Sequence, residues 1–448
     1  MTGTASPAAG ARAEVSAGHA GGLAVLGSAT ARLLAGAAGR EDLDAHRSRL
    51  GPAVAVWEAA IREQPEGIFD MISVAAIRGR GGGYFPLAEK LAVARRSPGT
   101  AVVVVNATES EPASRKDRHL MLHRPHLALD GAQAVAAAAG ADRLILAVHP
   151  GEPADSLRDA VRERYRDPVP ASIVTIPDRY VAGESSALVS WINGGAPLPA
   201  GRQVPTAVSG VDGRPTVVSN IESVCHAALV VGAGPGWFRQ VGPASTPGSL
   251  LVTVAGDVGS PGRVLEVVGP ATVADAVEAA GGPIDRPVAV LIGGYAGTWQ
   301  PADAVLDLQI DPEILARAGS PLGCGLIGVV GASRCGLSEA ARLAGWLSSQ
   351  RAGQCGACDA GLPDLAGAVV GLAEGTAGIR RGTKRIAALG DAIAGRNLCS
   401  LPDGTVAMVE SAVTTFWEEI GLHRKGRCSG RVDDALFPTP GRRTALAD

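Results

Sequence analysis

The chain is poor in several features whose scarcity limits what it can be. Only 3% of its 448 residues are aromatic, so any stacking role must fall on very few side chains. The net charge is −3, without the basic excess of nucleic-acid-binding proteins, and predicts no nucleic-acid partner. No uninterrupted apolar run reaches the roughly 18 residues that suggest a membrane-spanning helix. The first residues include no basic segment of the kind that opens a secretory signal, and we therefore expect a cytoplasmic protein.

Lysine and cysteine are also scarce. Only four of the 41 basic residues are lysine, and two of them, Lys90 and Lys116, lie between Arg78 and Arg118. In so arginine-rich a chain, this placement indicates either a need for a compact ammonium group or chance. The seven cysteines are an odd number, which argues against a disulfide framework and favours thiol, zinc or iron–sulfur chemistry.

The remaining sequence predicts an α/β protein of about two or three domains. Strand-like and helix-like segments alternate between residues 102 and 176, which is typical of a parallel sheet. A Gly- and Pro-rich stretch at 232–248 marks a domain boundary, and helix-like segments between 339 and 420 predict a bundle. The predicted units are an N-terminal segment (1–55), an α/β domain (56–240), a β-rich module (245–300), a helical bundle (325–428) and a tail (429–448).

A glycine-rich turn at residues 78–86 is the first motif with chemical content. Its glycines allow the backbone to come close to a bound group. The helix-like segment that follows offers free N–H groups at its N-terminus to an anion. Lys90 lies within two turns of that end, where it can neutralise a phosphate. The alternative is a plain glycine-rich connector.

Polar segments follow the predicted strands. Residues 106–112 contain Glu109 and Glu111, which point to the same side of an extended chain. Residues 180–188 and 213–223 supply further Asn, Ser and Glu side chains. Because parallel sheets bind ligands at the carboxyl ends of their strands, these segments predict a binding site. Each segment alone is also compatible with solvated loops and helix caps.

Three cysteines form the most specific pattern. Cys355 and Cys358 are separated by two residues between the first two helices of the predicted bundle, and Cys399 follows the third. Antiparallel helices would bring these thiols to one end of the bundle. Three thiolates suit an iron–sulfur cluster or zinc, although either site normally takes four ligands.

The fourth ligand is open at this point, because Asp359, Cys335 and Cys428 are all available to supply it. Buried, unreactive cysteine is the alternative for any of the thiols. We expect that state for Cys225 and Cys324.

In this order, the motifs resemble those of the flavin-bearing F subunit of NADH dehydrogenase (respiratory complex I). NAD-reducing hydrogenases and formate dehydrogenases have similar flavoprotein components. Residues 78–86 resemble the family's R-G-R-G-G-A-G-F-P, residues 106–118 its N-A-D-E-G-E-P-G-T-F-K-D-R, and residues 180–188 its Y-I-C-G-E-E-T-A-L. Three further motifs match at 213–223, at 255–262, and at 354–361 with 396–399. The resemblance covers residues 73–424.

The resemblance implies a parallel-sheet FMN-binding domain, then a β-grasp (SLBB-like) module, then a C-terminal four-helix bundle. FMN would contact the glycine turn and the polar segments through Gly79, Arg80, Gly81, Gly82, Gly83, Lys90, Asn106, Glu109, Tyr180, Gly183, Glu184, Ser219 and Asn220. Phe85 and Glu111 would lie on the NADH side. Cys355, Cys358 and Cys399 would hold a [4Fe–4S] cluster.

The function implied is that of an FMN-dependent electron-transfer oxidoreductase subunit. It would pass a hydride from NADH to FMN and then single electrons to an iron–sulfur centre or partner. The expected partner is a ferredoxin-like or thioredoxin-like iron–sulfur subunit, through which the protein would be peripheral to a membrane. Two alternatives are an FMN protein that exchanges electrons with ferredoxin rather than NADH, and a non-catalytic scaffold subunit.

The chain departs from the family pattern on both sides of the predicted site. Tyr84, Thr108 and Ser185 replace a glycine, an aspartate and a glutamate. Leu91 and its neighbours, and residues 202–205, lack family aromatics. Because stacking of an aromatic on a base is worth ~1–3 kcal/mol, these losses weaken dinucleotide binding more than flavin binding.

The cysteine motif is also incomplete, since Gly361 stands where the third family cysteine belongs. The residues themselves therefore leave three interpretations of this site: an iron–sulfur cluster, zinc, or no metal.

Overall fold

A computed structural model of the protein describes residues 15–16, 23–27, 29–35, 39–51, 53–164, 166–201, 204–396, 398–432 and 434–440. Parts of the predicted N-terminal segment and tail lie outside these ranges, as do Arg202 and Gln203. Among the described residues, no helix is both long enough and apolar enough to cross a membrane.

The strands of the described residues form two sheets. In chain order the strands are β1 (Val15–Ser16), β2 (Leu23–Leu26), β3 (Ala101–Ala107), β4 (Ala141–Val148), β5 (Ala171–Thr175), β6 (Thr216–Asn220), β7 (Leu250–Gly256), β8 (Arg263–Val267), β9 (Pro287–Ile292), β10 (Thr298–Pro301) and β11 (Leu326–Gly331). The first sheet has the order β5-β4-β3-β6, and all of its neighbours are parallel. The predicted parallel α/β arrangement is therefore confirmed.

The helices surround these sheets. They are α1 (Leu43–Leu50), α2 (Ala53–Glu63), α3 (Pro65–Ala75), α4 (Leu87–Arg96), α5 (Lys116–His123), α6 (Pro125–Ala139), α7 (Glu152–Glu163), α8 (Ser185–Ile192), α9 (Ile221–Ala233), α10 (Pro235–Phe238), α11 (Val273–Ala279), α12 (Ala302–Val305), α13 (Pro312–Arg317), α14 (Gly336–Ser349), α15 (Leu362–Ala373), α16 (Ile379–Ile393), α17 (Leu401–Thr415) and α18 (Trp417–His423). The last two of these helices, α17 and α18, meet at Phe416, near the end of the helix-like region predicted between 339 and 420.

The core of the first sheet is formed by β3 and α6. The β-branched run Val102–Val105 is fully buried, as expected for a central strand of a parallel sheet. Every residue of α6 except Ala137 is buried, and this helix packs against α3, α9 and both central strands. A helix so enclosed needs small side chains, which its many alanines provide.

The second sheet draws strands from outside the predicted β-rich module. Its order is β1-β2-β8-β7-β11-β9-β10. Strand β11 lies inside the sheet, parallel to β7 and antiparallel to β9. Strand β2 comes from the N-terminal segment and extends the sheet beside β8. Neither strand was expected from the sequence.

The C-terminal helices pack on one another and on this sheet. Helix α14 contacts α15 and α17, while α16 contacts the same two helices. Helix α17 also packs on β10, at one edge of the seven-stranded sheet. The first turn of α17 therefore lies against the connection between β9 and β10, where Gly404 is next to Ala296.

Gly131 should be the least replaceable position of α6. A Cβ at Gly131 would lie 1.8 Å from the Val224 carbonyl oxygen on α9. We expect Gly131→Ala to lower the thermal unfolding temperature, because overpacking costs about 1–3 kcal/mol. Gly232→Ala on α9 is the control, since no described residue has an atom within 4 Å of the Cβ that this change adds. Equal unfolding temperatures for the two variants would contradict this packing.

Candidate functional site

A cavity of about 640 Å³ lies at the carboxyl ends of β3 and β6. Asn106 and Asn220, at the ends of these neighbouring strands, are directly opposite each other in register. Such an edge is where open α/β sheets bind ligands, and pockets of 300–1,000 Å³ are usual for small molecules and cofactors. The predicted position of the site is therefore the position of this cavity.

Most of the predicted site residues line this cavity. They are Gly79, Gly81, Gly82, Gly83, Phe85, Lys90, Asn106, Glu109, Glu111, Tyr180, Gly183, Glu184, Asn220 and Cys399. Arg80 and Ser219 do not belong to the lining. The Arg80 guanidinium instead donates to the carbonyl oxygens of Pro247 (2.8 Å) and Ser249 (3.2 Å). Its side chain is therefore committed to the segment that leads into the second sheet.

The glycine turn is closed by its own backbone. The Gly79 N–H donates to the Phe85 carbonyl oxygen at 2.9 Å. Gly82 has a φ of +105°, and a Cβ there would lie 3.5 Å from the carbonyl carbon of Gly323. Tyr84 keeps a left-handed φ of +48° where the family has glycine, at a cost of about 1–2 kcal/mol. Its ring packs against the hydrophobic cluster of the second sheet.

Both lysines between Arg78 and Arg118 line this cavity. Lys90 Nζ donates to the Val218 carbonyl oxygen at 3.0 Å, and burial lowers the pKa of its ammonium group. Lys116 Nζ donates to Asp117 Oδ1 (2.7 Å) and Glu222 Oε2 (2.8 Å). Lys116 was not among the predicted site residues, although the scarcity of lysine was a signal for it.

Three predicted site residues also hold the start of a helix. Glu184 accepts from the N–H groups of residues 186 and 187 in α8, and Asn220 accepts from residue 222 in α9. Glu109 accepts from residues 117 and 118 in α5, at 3.1 and 2.9 Å. The same side chains therefore cap helices and line the cavity. By holding the helix ends in place, they also fix the position of the cavity wall.

Glu109 and Glu111 occupy a poorly solvated part of the cavity. Burial, with the Asp117 carboxylate, raises the pKa of Glu109 to about 7. Glu111 Oε2 accepts from the Tyr295 N–H at 3.0 Å, whereas its buried Oε1 has no hydrogen-bond partner among the described residues. Burial raises the pKa of Glu111 to about 8. Glu111 can therefore hold a proton at neutral pH.

The three predicted cluster cysteines belong to one hydrophobic cluster, and Cys399 lies at this cavity. Burial raises the pKa of the Cys399 thiol, and the neighbouring thiols of Cys358 and Cys355 add to the rise. Cys399 also lines the cavity, so the cysteine site and the cavity share a wall. Cys358 is buried, and its Sγ accepts from the Gly353 N–H at 3.4 Å.

The position of the missing family cysteine is filled by packing. A Cβ at Gly361 would lie 2.7 Å from Ile393 Cγ1 and 3.0 Å from its Cδ1. Ile393 is 2% exposed. The space that a third motif cysteine would need is therefore occupied by an isoleucine on α16.

Two of the proposed fourth ligands lie elsewhere. Cys335 begins α14, whereas Cys355 follows its end, and the 14 residues of that helix span about 21 Å. Cys428 lies with Cys335. Only Asp359 of the three is adjacent to the cysteine pair, in the same π-helical turn at Ala357–Gly361.

Cys225 and Cys324 differ in their surroundings. Cys225 is fully buried in α9, as expected. Cys324 was expected to be buried as well but is only half-buried and lines the cavity. It sits on a glycine-flanked turn before β11, and that unpredicted strand is what brings it to the cavity.

Comparisons with known proteins bear on the same two regions. Residues 72–228 match the family described as the Nuo51 FMN-binding domain, and residues 331–423 match the NADH-ubiquinone oxidoreductase-F iron-sulfur binding region. The predicted resemblance to the F subunit is confirmed. The F subunit of NADH-quinone oxidoreductase of Mycobacterium tuberculosis is 28% identical over 397 residues, which cover 82% of this chain and 87% of that protein. Its namesake in Streptomyces coelicolor is 28% identical over 407 residues, covering 87% and 88%.

The fold is similar to that of a chain in a solved NAD⁺-reducing [NiFe]-hydrogenase, in its air-oxidised state. The TM-score is 0.77 at 27% sequence identity, over 85% of this chain and 66% of the hydrogenase chain. The protein thus spans just under two thirds of that relative's length. Together, these matches support an oxidoreductase flavoprotein of the NADH dehydrogenase type, with FMN and a [4Fe–4S] cluster as cofactors.

The pKa of Glu111 predicts a pH dependence of stability. Because the folded chain holds this proton up to about pH 8, and an unfolded glutamate only to about 4.3, stability should fall as pH rises between these values. We expect Glu111→Gln, whose amide oxygen can still accept from Tyr295, to become more stable relative to the wild type as pH rises. Thermal unfolding from pH 5 to 8 measures this, with exposed Glu278→Gln as control. A constant difference across this range would contradict it.

The packing at Gly361 predicts the result of restoring the family cysteine. Gly361→Cys alone should lower the unfolding temperature, because its Cβ meets Ile393 and overpacking costs about 1–3 kcal/mol. The double variant that combines Gly361→Cys with Ile393→Ala should unfold at a higher temperature than Ile393→Ala alone, because the cysteine fills part of the cavity that the isoleucine leaves. A double-mutant cycle of unfolding temperatures tests the contact, and strictly additive effects would show that it is not limiting.

Proposed function

We propose that this protein is an FMN-dependent electron-transfer subunit that takes a hydride from NADH and delivers single electrons to a [4Fe–4S] cluster. The observation that carries the proposal is the shared wall of the cavity. The glycine turn, Lys90 and Cys399 all line the same cavity. A site for a two-electron carrier and a site for a one-electron carrier are thus adjacent.

The cavity residues fit FMN. Gly83 faces open space, since no atom of the described part of the chain lies within 4 Å of an added Cβ, so the backbone is free to approach a ligand. The Lys90 ammonium group suits the phosphate, and the amides of Asn106 and Asn220 suit polar ring atoms. We propose the flavin contacts that the family resemblance implies, less the side chains of Arg80 and Ser219. When bound, FMN supplies the exchange between two-electron and one-electron chemistry.

The side chains facing this space have separable roles. Phe85 is 48% exposed and is the aromatic available for stacking on the NADH side. Glu111 offers a carboxyl with an unpartnered Oε1 and a raised pKa, able to donate a hydrogen bond near neutral pH. Lys90, which donates to a backbone carbonyl oxygen, can hold positive charge against an anionic ligand, whereas the Lys116 ammonium group is paired with Asp117 and Glu222.

The cysteine site fits a cluster bound by three thiolates, Cys355, Cys358 and Cys399. The donor set is soft, which favours iron–sulfur or zinc over hard cations. We assign the iron–sulfur cluster because one of these cysteines, Cys399, lines the proposed flavin cavity, where a redox centre can exchange electrons and a zinc ion cannot.

The remaining parts of the proposal concern architecture and partners. We propose that residues 245–300 form the nucleus of a β-grasp (SLBB-like) module, completed by β2 and β11, and that α14–α17 form a four-helix bundle. The cluster would pass electrons to a ferredoxin-like or thioredoxin-like iron–sulfur subunit. Such a partner would place the protein in the cytoplasm, peripheral to a membrane.

Spectroscopy of the protein purified without oxygen tests the function. We expect bound FMN, iron and acid-labile sulfide, and rapid bleaching of the flavin on mixing with NADH. If the flavin is bleached by reduced ferredoxin but not by NADH, ferredoxin rather than NADH is the electron donor. A protein that takes up no FMN would overturn the proposal. A flavin-free variant that still supports electron transfer in a reconstituted assembly would favour a scaffold role.

Phe85 provides a separate test of the NADH side. We expect Phe85→Ala to retain FMN but to need roughly 5- to 150-fold more NADH for half-maximal bleaching, because a lost base–aromatic stack costs about 1–3 kcal/mol. Trp417→Ala is the control, since Trp417 is 54% exposed and outside the cavity lining. Unchanged NADH dependence in Phe85→Ala would remove Phe85 from the nicotinamide site.

A further inference from the structure

A second group of metal-ligating side chains lies at the opposite end of α14 from the predicted cluster. It consists of Cys335, Glu419, His423 and Cys428, whose ligand atoms are all within 4.8 Å of one another. The first three are buried, and Cys428 is exposed at the edge of the group. The proposed flavin and iron–sulfur chemistry uses none of these residues.

The fold brings these residues together from distant parts of the chain. Cys335 occupies the position before the first turn of α14, and its Sγ accepts from the Ser338 N–H at 3.4 Å. Glu419 and His423 are four residues apart on α18, so they face the same side of that helix. Cys428 follows five residues after His423. Two thiols, one imidazole and one carboxylate thus converge.

The position of His423 suits a metal ligand. Its Nδ1 faces the Ala373 carbonyl oxygen. Its Nε2 lies 3.0 Å from Glu419 Oε1 and 3.4 Å from Cys335 Sγ. The imidazole therefore turns one nitrogen to the backbone and the other to two further potential ligand atoms.

The surroundings of the group match those of a metal site. A backbone carbonyl on the far nitrogen of a histidine fixes the tautomer that presents Nε2 to a metal. Glu419 is held by Ser429, whose N–H donates to Oε1 at 2.8 Å and whose hydroxyl donates to Oε2. Sulfur, nitrogen and oxygen donors in fours are the ligands of tetrahedral zinc, whereas calcium and magnesium take oxygen alone.

We propose that Cys335, Glu419, His423 and Cys428 bind one zinc ion in a structural site. Such a site would fasten the chain after α18. Next to Cys335, the Arg431 N–H donates to the Ser333 carbonyl oxygen (2.8 Å), and the Cys335 N–H donates to the Arg431 carbonyl oxygen (3.1 Å). Zinc would therefore close the loop that this pairing begins.

The fastened segment continues to the back of the flavin cavity. Phe437 is fully buried, and the Tyr295 hydroxyl donates to the Pro438 carbonyl oxygen at 2.7 Å. The N–H of the same Tyr295 donates to Glu111 in the cavity. The zinc site thus stabilises the C-terminal segment that supports this part of the wall.

Metal analysis and zinc-edge X-ray absorption of the full-length protein, purified reduced and without added chelator, test the site. We expect about one zinc per chain, coordinated by two sulfur and two nitrogen or oxygen atoms, with Zn–S near 2.3 Å. The measurement is specific to zinc and independent of flavin and iron. Protein without zinc that binds none on titration with Zn²⁺ would overturn the proposal, whether its thiols are free or joined as a disulfide.

Cysteine variants assign the ligands. Cys428→Ser changes an exposed residue, so the chain should fold, lose most of its zinc and keep its iron. Cys358→Ser is the matched control and should keep its zinc and lose iron. Zinc retained in full by Cys428→Ser would overturn this ligand set. Because this pattern compares two metals, it is independent of whether FMN accepts electrons from NADH.

Amide hydrogen exchange provides a readout that requires no substitution of a ligand residue. Removing zinc from the wild type with a chelator should speed exchange in residues 427–440 and leave α6 unchanged. Restoring Zn²⁺ should reverse the effect. Exchange that is identical with and without bound zinc would show that the ion does not fasten the segment.

Discussion

The cavity depends on one buried carboxylate, Glu222, at the start of α9. Its Oε2 accepts from Lys116 Nζ (2.8 Å), and its Oε1 accepts from the Leu251 N–H (3.0 Å) in β7. The Arg80 guanidinium lies 3.9 Å away. One side chain thus joins the first sheet, the second sheet and the glycine turn. Removing one partner of such a buried pair typically costs about 3–5 kcal/mol, so both walls of the cavity rest on this network.

Local sequence patterns predicted the first sheet well. The second sheet could not be predicted in full, because its strands pair with partners that are distant in the sequence. The valine run of β3 and the alanine-rich α6 have signals contained within their own residues. Strand β11 is an apolar run, but its place between β7 and β9 depends on partners some 35 to 75 residues earlier. Strand β2 pairs with β8 across an even longer separation. Motif and period carry no information about such partners.

The sequence predicted which positions surround the site, but not the direction in which each side chain points. Glycines, Asn106 and Asn220 line the cavity because their backbone position alone suffices to put them there. A long side chain such as Arg80 is free to turn away, and it does so because the carbonyl oxygens of residues 247 and 249 satisfy its guanidinium. Cys335 and Cys428 were considered for the cluster by residue type, yet the length of α14 separates them from it.

The departures from the family pattern are absorbed by packing rather than left as gaps. Tyr84 keeps the left-handed backbone of the glycine that it replaces, so the turn retains its shape. At Gly361, the buried Ile393 fills the space of the absent cysteine. If three thiolates hold the cluster as proposed above, its fourth iron would need another ligand, such as Asp359, which follows Cys358 in the π-helical turn, or a ligand from solvent. An oxygen ligand in place of a thiolate changes the charge at the sulfur cluster and is a lever on its potential. The glycine turn thus keeps a backbone conformation that suits its motif, and the missing cysteine is the departure that bears on the proposed electron acceptor.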